Sequence, residues 1–113
     1  MGKYPTSSKH TLVIPAYKEE TYLNKHRKLY EAYDEVIIVA NACTDKTQKI
    51  ARQVGKCIIT NEANVSLARN TGAKNATYEN ITFIDADIKP PKPTLAEPGK
   101  IKIFLGCLLY TSP

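Results

Sequence analysis

Four short runs of the chain are apolar almost without interruption: TLVI at 11–14, EVIIVA at 35–40, KCIIT at 56–60 and ITFID at 81–85. Continuous rather than alternating hydrophobicity predicts strands covered on both faces. Between the runs the period changes. In EETYLNKHRKLYEAY, Tyr22, Leu23, His26, Leu29, Tyr30 and Tyr33 recur at three- and four-residue intervals, behind Glu19 and Glu20, which suit the positive end of a helix dipole. The pattern predicts a helix with one buried stripe. CTDKTQKIARQVGK offers Thr44 or Asp45 as an N-cap, a stripe of Ile50, Ala51 and Val54, and Gly55 as a stop. In NVSLARNTGAKNATYE, Ser66 can cap a third helix whose small residues Ala68, Gly72, Ala73 and Ala76 permit close packing on a sheet.

Strands alternating with helices build right-handed crossovers and a parallel sheet with helices on both faces. Ligands of such α/β sheets sit at the carboxyl ends of the strands. Tyr17 and Glu19 follow the first strand, Asn41 and Asp45 the second, and Asp85 and Asp87 the fourth. Beyond Ile88 the character changes: KPPKPTLAEPGK holds four of the seven prolines and cannot continue a helix or a central strand. The closing IKIFLGCLLYTSP reads either as a further strand or as a disordered or foreign tail.

The chain of 113 residues suffices for one domain, and a content of 42% hydrophobic and 24% charged residues is that of a globular protein. Pro15 ends the first apolar run too early for a signal peptide, which makes a cytoplasmic protein the expectation, with a peripheral place at the membrane surface left open. Cys43, Cys57 and Cys107 lack metal-site or disulfide spacing, so reduced thiols are expected. Three Asn-x-Ser/Thr tripeptides and a loose N-terminal myristoylation pattern read as chance matches. The net charge of +5 would attract nucleic acid, phosphorylated ligands or an anionic membrane face. Along the sequence the lysines are scattered, without an aromatic ladder, which argues for a solvated basic surface and no specific nucleic-acid partner. Dinucleotide and P-loop chemistry lack their glycine motifs, and no nucleophile elbow is present.

ITFIDADIKP ends a strand with two carboxylates one residue apart. Solvated turn residues would explain an isolated pair. A backbone turn could instead aim both at one hard cation, Mg2+ or Mn2+, with substrate phosphates completing its shell. TLVIPAYKEE, EVIIVANACTDKT, NVSLARNTGA and ITFIDADIKP, in this order, resemble the successive N-terminal blocks of family-two glycosyltransferases. The resemblance implies a Rossmann-like GT-A three-layer sandwich. It also implies inverting, metal-assisted transfer from a nucleotide-diphosphate sugar to an acceptor that the sequence leaves open. By position, Pro15, Ala16, Tyr17 and Glu19 would line the base and ribose pocket, Asn41 would bond the base, and Arg69 would flank the donor. Asp85, Ala86 and Asp87 would be the metal motif, with Asp85 and Asp87 as ligands.

Lys18 and Ala40 depart from common family residues, which leaves the base open. The match covers about Thr11 to Leu95, so the expected organisation is an extension at 1–10, a donor-binding half-domain at 11–95 and an atypical tail at 96–113. No general base is assigned: the sole acid after the motif is Glu97, in the proline-rich stretch. The chain is expected to be inactive alone and to self-associate through a sheet edge left open beside the fourth strand. A non-catalytic nucleotide- or protein-binding module is the competing reading.

Overall fold

A computed structural model describes residues 9–17, 20–41, 45–62, 64–94, 99, 101–104 and 107–111. Its element order is β1 (His10–Ala16), α1 (Glu20–Tyr30), β2 (Glu35–Asn41), α2 (Asp45–Val54), β3 (Lys56–Thr60), α3 (Val65–Asn75), β4 (Asn80–Phe83), β5 (Ile101–Phe104) and β6 (Cys107–Thr111). The six strands form one sheet in the order β3-β2-β1-β4-β6-β5. β3, β2, β1 and β4 run parallel, and β6 is antiparallel to both β4 and β5. All four apolar runs are strands, and the crossovers place helices on both faces, as the continuous hydrophobicity requires.

The pleat divides β1 between two cores. Leu12, Ile14 and Ala16 pack with Leu23 and Tyr30 of α1 and Ala51 of α2. Val13 packs with Ile37, Val39, Ile81 and Ala68 of α3 on the other face. Leu23 and Tyr30 are almost wholly buried, and burying such side chains stabilises by about 1.5–3 kcal/mol each. Tyr22 and Leu29, expected in the same stripe, are instead 41% and 40% exposed. They flank the α1 stripe, and the sheet accommodates only its centre, Leu23, His26 and Tyr30.

α2 stops at Val54 with Gly55 after it, as expected; the Gly55 amide donates to the Ala51 carbonyl. Thr44 and Glu19 lie outside the described residues. The cap of α3 is Asn64 rather than Ser66: the Asn64 side chain accepts from the Leu67 amide at 3.0 Å. Gly72 lets this helix sit against the sheet, because a Cβ there would lie 2.3 Å from Cγ1 of Val13.

The open edge expected beside β4 is filled. β6 pairs with it from Asn80↔Thr111 to Phe83↔Leu108, and Thr111 Oγ1 donates to Asn80 Oδ1 at 2.9 Å. The outer strands of the sheet are thus β3 and β5, and Ile103 of β5 is 77% exposed. Between β4 and β5 the Pro-rich segment runs back toward the amino ends of the strands. Ile88 packs against the α1-side core. The Tyr33 hydroxyl donates to the Pro91 carbonyl at 2.9 Å, and His10 Nε2 donates to the Thr94 carbonyl at 2.9 Å. Burial pushes the Tyr33 phenol up to about 12, so it remains a donor.

Candidate functional site

The parallel strands end together at one rim, where β1 passes into Tyr17 and β4 into Ile84 and Asp85. The Ile84 amide still donates to the Val13 carbonyl, which keeps β4 docked on β1 up to the carboxylates. A turn follows at once, closed by the Ile88 amide donating to the Asp85 carbonyl at 3.0 Å. Within it Ala86 is wholly buried among the α1-side core residues, while Asp85 and Asp87 are exposed. The burial of Ala86 fixes the turn and holds the two flanking carboxylates out in solvent. The solvated character of the pair is therefore imposed by the core beneath it.

Beside this turn lies a cleft of about 140 Å3. Arg69, on the first half of α3, and Asp85 both line it, so two residues singled out separately in the sequence meet at one place. Nε of Arg69 is buried and has no hydrogen-bond partner among the described residues. A buried guanidinium N–H without a partner costs free energy, and an anionic ligand would relieve that cost. Ile84, Ile103, Cys107 and Leu108 make the apolar walls. Burial, and secondarily the Asp85 charge, push the Cys107 thiol up, which marks it as a packed neutral wall residue rather than a nucleophile.

The other expected site residues are distributed differently. Tyr17 is 46% exposed on the rim and does not line the cleft. Pro15 and Ala16 are buried in β1, Ala16 within the core, so any ligand contact from them passes through the backbone. Asn41 is the last residue of β2, at the same end of the sheet. Asp87 lies outside the cleft walls. Among the described residues no group of three His, Cys, Asp or Glu side chains could hold a metal ion. Among the described residues, Asp85 and Asp87 are the carboxylates that this turn offers a cation.

The sequence reading missed the contribution of β5 and β6, which supply three of the walls. The signal was present: two short β-prone runs separated by Leu105 and Gly106 have hairpin spacing.

Comparison with known proteins bears on the family and the fold. Residues 11–97 match the sequence profile of glycosyl transferase family 2. A glycosyltransferase of Streptococcus pneumoniae serotype 4, GlyA, is 30% identical over 87 residues, covering 68% of this chain and 12% of that protein. The chain therefore spans only a small part of the curated relative. A solved structure of CMP:2-keto-3-deoxy-manno-octonic acid synthetase complexed with CTP superposes with a TM-score of 0.55 at 13% identity, covering 76% of this chain and 43% of that one. That likeness is one of fold.

Proposed function

Because the chain belongs to glycosyl transferase family 2, we propose that it is the donor-binding portion of an enzyme that moves a sugar, with inversion, from a nucleotide-diphosphate donor to an acceptor, assisted by Mg2+ or Mn2+. The observation that carries this reading is the shared cleft of Arg69 and Asp85, with an Arg69 N–H buried and unpartnered. The guanidinium is suited to phosphate oxygens, which accept its planar donors. Asp85 and Asp87 are the residues that would hold the cation. Two exposed carboxylates, with no third ligand among the described residues, suit a hard ion that completes its shell with water and phosphate oxygens. When bound, such an ion supplies Lewis-acid stabilisation of the departing nucleoside diphosphate.

At about 140 Å3 the cleft falls below the roughly 300–1,000 Å3 of pockets that enclose a drug-sized ligand. It fits the diphosphate end. Base and ribose would extend along the rim past Tyr17, whose exposed ring offers a flat face, toward Asn41 and the backbone of Pro15 and Ala16, with Glu19 joining them by family resemblance alone. Inverting transfer also needs a carboxylate at the acceptor hydroxyl. Glu97, the sole acid after Asp87, lies outside the described residues and is not assigned this role, so the chain alone is expected to bind donor without transferring sugar.

The test is calorimetric titration with nucleoside diphosphates, with and without Mn2+. Binding that needs the metal, and falls at least about tenfold in Asp87→Ala, which is 1.4 kcal/mol, supports donor recognition. Binding indifferent to Mn2+ and to Asp87 sinks it. The small cleft favours a second reading, a non-catalytic module of the same fold, and metal-independent binding would select that one.

A further inference from the structure

The lysines that look scattered along the sequence are gathered by the fold. α1 and α2 pack side by side on one face of the sheet, with Arg27 Nη2 donating across to Gln53 Oε1 at 3.4 Å. Their outward sides carry Lys25, Arg27 and Lys28 from α1 and Lys46, Lys49 and Arg52 from α2; all but the half-buried Arg27 are exposed. Neither helix has an acid beyond its first residue, Glu20 or Asp45. In this layer six basic residues outnumber the two helix acids, with Glu31 just beyond α1, so the face is cationic on balance. Tyr22 and Leu29, three residues before and four after Lys25, project their exposed side chains on the same flank.

We propose that this α1–α2 face docks on an anionic phospholipid bilayer. Lys and Arg near a charged leaflet attract it electrostatically, and an exposed Tyr and Leu among them can enter the headgroup boundary. Two packed helices present a broad face with no projecting element for a DNA groove and no aromatic row for stacking, which favours lipid over nucleic acid. No described helix is long and apolar enough to cross a membrane, so the contact is with the surface. Both helices begin at the rim that carries Asp85 and Asp87, and a bilayer along their flanks would lie beside the cleft without covering it. The proposal is independent of donor binding.

Co-sedimentation of the chain with phosphatidylcholine vesicles, with and without phosphatidylserine, tests it. Binding is expected only with phosphatidylserine and should weaken as salt rises. Lys28→Glu/Lys49→Glu should lower partitioning at least 25-fold, from about fivefold per basic residue near the surface. The matched control, Lys9→Glu/Lys74→Glu, places the same charge change away from this face, and melting curves for both pairs establish that they fold. Equal losses in the two pairs would reduce the effect to net charge and overturn the proposal. So would absence of vesicle binding, or retention on duplex DNA through Lys28 and Lys49 in place of vesicles.

Discussion

Replacing Gly72 by alanine tests how closely α3 must sit on the sheet. The added Cβ would lie 2.3 Å from Val13 Cγ1, 3.2 Å from Cγ2 and 3.3 Å from Cβ. Ordinary contact begins near 3.4 Å, so relief requires a shift on the order of 1 Å or a new Val13 rotamer. Val13 is wholly buried and β-branched, which leaves it little rotamer freedom. Alanine gains about 1 kcal/mol of helix propensity over glycine, whereas overpacking a core costs about 1–3 kcal/mol. A retreating helix would also loosen the contacts of Ala68 and Ala73 with the same core. The expected net loss is about 1–2 kcal/mol, which for a domain of this size lowers Tm by roughly 4–8 °C per kcal/mol. Arg69 sits three residues before Gly72 on the same helix, so nucleoside-diphosphate affinity should fall as well. Thermal melts and calorimetry on Gly72→Ala, Val13→Ala and the double variant give the answer. The double variant should be less destabilised than the sum of the singles, by at least about 0.5 kcal/mol. A Gly72→Ala protein as stable as its parent would refute the close approach.

Two further predictions concern pH and buried polar groups. Glu35 accepts from Thr11 Oγ1 at 2.7 Å and from the amide and hydroxyl of Thr77 at 2.7 and 2.8 Å. Partial burial alone would raise its carboxyl, but these bonds and Lys56 hold it below its usual 4.5. Its stabilisation is therefore present at neutral pH and fades as pH falls from 4.5 through the lowered value. Glu35→Ala should cost about 1–3 kcal/mol, since it strands the buried Thr11 hydroxyl, and urea titrations should show a shallower acid slope; an unchanged slope would refute the network. Burial, with Lys25 and Lys89, lowers His26 from 6.5. The unfolded chain then takes up a proton first, so stability drops as pH falls below 6.5, and His26→Leu should flatten that segment of the curve.

The strands were legible because burial on both faces leaves each an uninterrupted apolar signature, and the parallel order follows from the alternation with helices. The details that failed depend on geometry that local pattern does not carry. Asn64 and Ser66 are both good cap residues, and the bond to Leu67 decides between them. Tyr22 and Leu29 share the period of the α1 stripe, yet the sheet reaches only its centre. Arg69 and Asp85 each carried a suspicion from the sequence. Their meeting in one cleft needed the crossover of α3 onto the sheet. The contribution of Cys107 and Leu108 depended on a pairing between distant segments, set by the β4–β6 register.

Among the described residues, Tyr33 and His10 tie down the strap from Lys89 to Thr94 through bonds accepted by its Pro91 and Thr94 carbonyls. Pro90, Pro91 and Pro93 have no amide hydrogen to give. A stretch with three amide donors in six residues is a poor template for an incoming chain. The passage between two sheet strands, which in other sequences would invite promiscuous β-pairing, is here made sterile toward it by its own covalent chemistry.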